Sequence, residues 1–356
     1  MKFAGRVSVH GLFVGLASLA IFLVPALRAD DAVELSYPLA PGDTVWSISQ
    51  TLLAQPNDWQ RLVRHNGISK DRKLPPGKII RIPYAWMKRD QVQIEATQVN
   101  GEARWTHPDT SVVAELKSGM RLRSASRIQT GATGHVTVRL GDGSILRIAP
   151  GSDVQLHAIQ YAGTSVTHVR FQLERGRVET QAAPLRQPAS VYEIRTPTAQ
   201  LGVRGTRFRV TLSQDRGSST AEVVEGVVAA INPTLTSSAP IAVNAGFGTV
   251  VRAGQAPLPP IVLLPAPDLS HLVGLDLGPA VNLVGRPVHK AVSYRIQVAR
   301  DAQFAETVLE TTAADPHIRF SNLGTGVLHV RVRAVDTNGL EGQDGQVALR
   351  LLEIQL

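Results

Sequence analysis

The chain has 356 residues, of which 43% are hydrophobic and 19% charged, and this ordinary globular composition excludes a wholly disordered chain and a polytopic membrane protein. The formal net charge is +8, but residues 111–256 carry 16 Lys/Arg against nine Asp/Glu, whereas residues 257–356 carry eight against ten. These two regions therefore predict different surfaces and different domains. The sequence has no cysteine, which excludes disulfides, a lipidated N-terminal cysteine and thiolate metal sites.

Residues 1–29 have the pattern of an export signal. Lys2 and Arg6 precede the uncharged run 11–27, and Ala29 supplies a small residue at a cleavage point. We predict cleavage near Ala29, so that the mature protein leaves the cytoplasm. An uncleaved membrane anchor is the alternative, because a run of about 17 residues is at the lower limit for spanning a bilayer.

Residues 35–84 predict a βααβ unit. Apolar residues at helical spacing indicate two helices, the first beginning at Val45 and the second carrying Trp59 on its core-facing stripe. The run Gly42-Asp43-Thr44 offers a turn and an N-cap, since an Asp or Thr oxygen can accept the first free amide hydrogens. Asn66-Gly67 suits the left-handed exit of a helix.

Residues 37–48 (YPLAPGDTVWSI) resemble the opening of a LysM domain, and residues 66–67 (NG) and 74–83 (LPPGKIIRIP) resemble its end. The resemblance implies binding of N-acetylglucosamine-containing glycans, chiefly peptidoglycan, in a groove between two loops. The glycan-binding residues that it implies are Gly42, Asp43, Thr44, Asn66, Gly67 and Ile68. Helix capping is the alternative role for Asp43 and Thr44, and Trp46 is a candidate for stacking on a sugar ring.

Residues 85–110 have no clear period and predict a linker with one strand at 92–96. Residues 111–255 predict an all-β domain, because strand-like alternation recurs every ten to fifteen residues between glycine-rich turns such as 141–144. Arg207 and Arg209 alternate with apolar residues, which favours a solvated strand face over a partner-binding patch.

Markers in residues 127–132 (RIQTGA), 141–144 (GDGS), 173–178 (LERGRV), 195–199 (RTPTA), 203–208 (VRGTRF) and 224–226 (VEG) resemble the FecR domain. The resemblance implies a periplasmic location and a relation to sigma-factor regulators of iron uptake. After a proline-rich linker at 257–260, residues 261–356 alternate again, and residues 294–299 and 330–336 resemble strands of a fibronectin type III sandwich.

We find no catalytic or metal-binding motif in the sequence, and we predict neither an enzyme nor a cofactor. The predicted fold is mainly β and multidomain. The predicted function is a periplasmic protein that binds peptidoglycan and presents its β domains to an unknown envelope protein, not to nucleic acid. An envelope-sensing signal-transduction regulator is the alternative, and a wall hydrolase with an unrecognised site is a third hypothesis.

Overall fold

The computed structural model describes residues 34–39, 42–68, 74–185, 187, 190–235, 239–269, 280–321 and 326–351. It confirms the mainly β prediction, with 51% strand and 7% helix. The predicted export signal lies outside the described residues. Within the part of the chain that is described, no helix is long and apolar enough to cross a membrane.

The N-terminal module has the predicted βααβ order. Its elements are β1 (Glu34–Pro38), α1 (Val45–Leu52), α2 (Trp59–His65) and β2 (Ile79–Pro83). β1 and β2 pair antiparallel, and the two helices supply the apolar faces that cover them. The side chains at helical spacing or on alternate strand positions are buried: Val45, Ile48, Leu52, Leu62, Ile80 and Ile82. Trp59, which the sequence predicts in this core, is only half-buried.

The middle of the chain forms a closed β-barrel. Its strands are β3 (Arg89–Gln91), β4 (Ile94–Asn100), β5 (Ala103–Thr106), β6 (Val113–Glu115), β7 (Met120–Leu122), β8 (Arg127–Thr130), β9 (His135–Leu140), β10 (Ile145–Ile148), β11 (Asp153–Tyr161), β12 (Thr167–Gln181), β13 (Val191–Arg195), β14 (Gln200–Val203), β15 (Arg207–Leu212), β16 (Ser218–Glu225), β17 (Val227–Ile231), β18 (Ile241–Asn244), β19 (Phe247–Arg252) and β20 (Ile261–Val262).

Two sheets share the long strand β12 and enclose an apolar core. The first sheet runs β6-β5-β8-β11-β12-β13-β14-β17-β18. The second sheet runs β7-β4-β9-β10-β12-β15-β16-β19-β20. β12 passes from one to the other at Gly176, which has φ +84° and whose Cβ would lie 2.3 Å from Ser152 Oγ. Only glycine fits this close approach.

The predicted linker at 85–110 is wrong. β3, β4 and β5 occupy this stretch, and Ile94, Ala96 and Ala103 are buried in the barrel core. The alternation of apolar and polar residues is weak here for two reasons. β3 and β5 have only three and four residues, and a bulge between Ala96 and Gln98 interrupts β4.

The C-terminal part is also β, as predicted. It contains β21 (Ala280–Val284), β22 (Ser293–Ala299), β23 (Thr307–Ala313), β24 (His317–Ser321), β25 (Gly326–Val335) and β26 (Gly345–Leu351). β23-β22-β25-β26 form an antiparallel sheet, and β21 pairs with β24. The resemblance to a fibronectin type III sandwich stays a prediction. The proline-rich stretch at 257–260 lies along the barrel, since Leu258 N–H donates to the Val250 carbonyl.

The N-terminal module packs directly on the barrel. Tyr161, at the end of β11, is fully buried in the module's core, with its ring 4.7 Å from that of Tyr84. Lys88 N–H donates to the Leu52 carbonyl, and Ala162 N–H donates to the Lys88 carbonyl. The chain therefore passes from module to barrel through a shared apolar contact.

We predict that Gly163→Ala weakens this packing. Gly163 has φ +69°, and a Cβ there would lie 2.5 Å from Cδ2 of the buried Leu52. Gly143→Ala is the matched control, because Gly143 has φ +90° with no atom within 4 Å of its Cβ position. Overpacking costs about 1–3 kcal/mol, so Gly163→Ala should lower the free energy of unfolding by about 1 kcal/mol or more beyond Gly143→Ala. Equal losses in denaturant titrations would show that the Leu52 side chain is not confined there.

Candidate functional site

The loop before α1 is built around Thr44. Ser47 N–H donates to Thr44 Oγ1 over 3.0 Å, and Thr44 N–H donates to Ser47 Oγ over 2.9 Å. This reciprocal capping box satisfies two amide hydrogens at the helix start. The predicted capping role thus belongs to Thr44. Gly42 has φ +92° and no atom within 4 Å of its Cβ position, so the loop is open at its tip.

Asp43 is held by the sheet. Tyr37 Oη donates to Asp43 Oδ2 over 3.0 Å. Burial raises the pKa of Tyr37, and the hydrogen bond to the Asp43 carboxylate raises it further. The Asp43 carboxylate is therefore oriented by a neighbouring strand.

The loop after α2 is fixed by Asn66. Its Nδ2 donates to the carbonyls of Leu62 (3.0 Å) and Arg81 (2.9 Å), and its Oδ1 accepts from Arg81 N–H (2.7 Å). The amide thus ties the end of α2 to β2. Gly67 has φ +60°, as the sequence predicts for the helix exit.

Ile68 packs inward. It is 8% exposed in the module's core, and its N–H donates to the Val63 carbonyl over 3.0 Å. The Ile68 bond belongs to the local helix exit. The Asn66 clamp is a structural role that local sequence rules do not reveal, because it depends on contacts with β2.

β1 ends and β2 begins at the same end of the small sheet. Pro38 pairs with Ile79, Leu39 N–H donates to the Lys78 carbonyl over 2.9 Å, and Gly77 N–H donates back to Leu39 over 2.8 Å. Trp46 begins the exposed side of α1 beside this end, with 56% of its surface accessible. An exposed indole next to two backbone-rich loops can offer a flat apolar floor and amide groups to a sugar.

A second concentration of polar side chains lies between the barrel and the C-terminal sheet. The outward-facing residues of β9, β10, β12, β15 and β16 stand side by side in register. In sheet order this row is Thr137, Arg147, Glu179, Arg209 and Glu222. Positive and negative charges alternate along it, which is the favourable arrangement for cross-strand neighbours.

The facing C-terminal sheet completes the row. Glu179 accepts from Arg331 Nη2 (3.1 Å) and from Arg333 Nη2 (2.8 Å). Arg333 also donates to Glu341 (2.9 Å) and Asp344 (2.5 Å). Further ion pairs join Arg177 to Glu310 and Glu341 and join Arg295 to the same two carboxylates.

The solvated face predicted for Arg207 and Arg209 is wrong at Arg209, whose side chain is 1% exposed. Arg209 donates to the carbonyls of Gly342 (2.9 Å) and Glu341 (3.1 Å) in the C-terminal domain. Arg207 remains 28% exposed, and it pairs with the exposed Glu225. Alternation identified the polar face, but that face meets a second protein surface in place of water.

Burial and neighbouring charges shift the pKa values of the carboxylates in this cluster in opposite directions. Burial works to raise the pKa of Glu179, but Arg331 and Arg333 hold it well below its ordinary value. Burial raises the pKa of Glu222 to about 7, with Arg209 lowering it and Glu341 raising it. Burial and the neighbouring Arg333 lower the pKa of Arg331 to about 10.

None of the described residues forms a group of three or more His, Asp or Glu side chains that could hold a metal ion.

The glycan-binding residues predicted from the sequence lie in the two loops of the N-terminal module. The charged cluster is a separate feature.

Two family models match the chain. The LysM domain model matches residues 39–83, and the FecR protein model matches residues 126–229. No curated protein matches. A "putative anti-sigma factor" from Parabacteroides distasonis ATCC 8503 is 18% identical over 38% of this chain and 59% of that one, with a TM-score of 0.31.

A second solved structure is the extracellular domain of a "putative one component system" from B. thetaiotaomicron. It is 10% identical over 75% of this chain and 56% of that one, with a TM-score of 0.18. This chain thus spans less than two thirds of either protein. At these TM-scores neither structure contributes to the proposals below.

We predict that Glu222 makes the protein less stable as pH rises from about 5 to 8. Its folded pKa of about 7 is above its ordinary value of 4.5, so the folded state keeps a proton that the unfolded state has lost. The stabilisation is complete below about pH 4.5 and is lost as the pH rises through about 7. Glu222→Gln should remove this dependence in denaturant titrations.

Glu225→Gln is the control, because Glu225 lies on the same strand and its side chain is exposed. Arg209, Glu341 and Thr220 are the groups that face Glu222, and all three remain in both variants. If the Glu222→Gln and wild-type curves have the same slope between pH 5 and 8, Glu222 does not titrate in that range.

Proposed function

We propose that the protein is a non-catalytic envelope protein that binds peptidoglycan through its N-terminal module. The match of the LysM domain model to residues 39–83 carries the proposal. The exposed Trp46 at the start of α1 supports it, because an indole can supply an apolar surface for a sugar ring. In this proposal the protein is exported to the periplasm after cleavage near Ala29.

The contacts suggest that some of the proposed glycan-binding residues fix the loops and that others contact the sugar. Asn66 and Ile68 hold the second loop in place through their contacts with β2 and the core. Gly42, Asp43, Thr44 and Gly67 then present backbone groups and short side chains to the N-acetyl group of the sugar. Trp46 supplies the apolar surface on which a sugar ring stacks.

The barrel and the C-terminal domain serve protein interaction in this proposal. The alternative is an envelope-sensing regulator of signal transduction, which the FecR protein match over residues 126–229 favours. A sigma-factor gene and an outer-membrane transducer gene beside this one would support the regulator. A crosslinked pull-down from envelopes would identify the protein partner of either.

We predict that the full chain sediments with insoluble peptidoglycan. The full chain is used because the module's core includes Tyr161 and Val166 of the barrel. A single module with loop contacts should bind with a Kd of roughly 0.01–1 mM, about −4 to −7 kcal/mol. Protein that stays in the supernatant at high wall excess contradicts the proposal, and release of soluble wall fragments would indicate a hydrolase.

We predict that Thr44→Gly reduces this binding more than it reduces stability. Glycine suits the N-cap backbone and costs only a few tenths of a kcal/mol relative to a good cap, but it removes the side chain from the loop. Ser47→Ala is the matched control, because it removes the other half of the capping box from within the helix. Binding is measured by sedimentation and stability by thermal melting.

Thr44→Gly should weaken sedimentation several-fold with a small loss of melting temperature, and Ser47→Ala should do the reverse. If binding follows melting temperature in both variants, Thr44 has only a capping role, and the glycan contacts lie elsewhere on the module.

A further inference from the structure

The contact between the barrel and the C-terminal sheet is made by the polar faces of both. In β15, Phe208 and Val210 enter the barrel core, and Arg209 between them points to the C-terminal domain. In β25, Val330 and Val332 enter that domain's own core, and Arg331 points back to the barrel. Most of each domain's apolar interior is therefore enclosed within that domain.

Apolar packing between the two is limited. Leu340 of the C-terminal domain forms a small buried cluster with Val250 and Leu263, and a Cβ on Gly248 would lie 2.8 Å from Leu340. Permanent interfaces resemble a domain core cut in half and are more hydrophobic than this one. The composition here is that of a recognition surface, whose specificity comes from the positions of its charged side chains.

The charged contacts are specific in both directions. Arg177 of the barrel pairs with Glu310 of the C-terminal domain. Glu179 of the barrel pairs with Arg331 and Arg333 of the C-terminal domain. Because each side carries both signs, a shift by one strand or two residues would set like charges against each other. Only a sheet with the same spacing of paired arginines and carboxylates fits this face.

The interface also holds a cavity of about 20 Å3, lined among others by His135, Arg147 and Phe304. His135 is 8% exposed, and its Nε2 lies 3.5 Å from Glu310 Oε2 of the C-terminal domain. The volume suffices for one water molecule.

We propose that the outer face of the second barrel sheet is a recognition surface for a β-sheet that carries paired arginines between carboxylates. The chain's own C-terminal domain occupies this surface in cis as a detachable cover. An external partner for this face would have to present the same pattern and displace the cover. The proposal does not depend on glycan binding.

The test separates covalent connection from recognition. A protease recognition sequence is inserted between Pro265 and Ala266, which are both exposed, and the purified full chain is cut. The two halves are then diluted and analysed by size-exclusion chromatography. We expect them to co-elute and to dissociate with a measurable Kd.

Glu179→Gln and Arg333→Gln are compared in the cut chain, singly and together. Each should weaken the association at least tenfold, and the double variant should weaken it less than the product of the two, because the residues contact each other. Glu174→Gln is the control, since Glu174 lies on the same strand and pairs with the exposed Arg216. Arg331→Gln provides a second variant of the same contact.

Halves that separate in the wild-type protein as soon as the chain is cut would show that the cover has no affinity of its own. Co-elution that is unchanged in Glu179→Gln, Arg333→Gln and Arg331→Gln would show that the charges do not provide recognition. Either result overturns the proposal.

Discussion

Every charge buried between the barrel and the C-terminal sheet needs an opposite charge or a carbonyl oxygen at hydrogen-bond distance. An unpaired buried charge costs several kcal/mol, and removing one partner of a buried pair costs about 3–5 kcal/mol. Arg333 and Glu341 pair with each other within the C-terminal domain, whereas Glu179 accepts its hydrogen bonds from Arg331 and Arg333 when β12 and β25 face each other in this register. The pairing therefore fixes how the C-terminal domain lies on the barrel.

Among the described residues, the N-terminal module is attached to the barrel by apolar packing and not by ion pairs. Tyr84, Met87 and Tyr161 form a continuous apolar contact with its core, and backbone hydrogen bonds at Leu52 and Lys88 reinforce it. Apolar burial is not directional and tolerates small shifts, whereas the ionic interface does not. The attachment uses the end of α1 and the residues after β2, so the loop at Gly42 keeps open surroundings.

Local rules predict what depends on local structure. Helical spacing identified α1, capping chemistry identified Thr44, and positive φ at Gly67 followed from the helix exit. The clamp from Asn66 to the backbone of Arg81 was not predictable, because it joins residues 15 apart across the fold. The predicted linker at 85–110 failed for a related reason, since strands of three or four residues give too few alternations to identify.

Strand alternation distinguishes an apolar face from a polar one, but it does not say what the polar face meets. Arg209 and Arg333 alternate with apolar residues as solvent-facing side chains do, yet both are almost fully buried. The residue type suits the buried positions but does not distinguish them. Between residues 111 and 356, Lys117 and Lys290 are the only lysines, and every other basic residue is arginine. A solvated strand face accepts lysine equally well. A buried ionic face favours arginine, because its planar guanidinium is weakly hydrated and can satisfy several oxygens at once, as Arg333 does with Glu179, Glu341 and Asp344. Arginine also occupies exposed strand positions such as Arg139 and Arg350. The buried face is therefore identified by the carboxylates that meet its arginines from the second sheet, and not by the residue type alone.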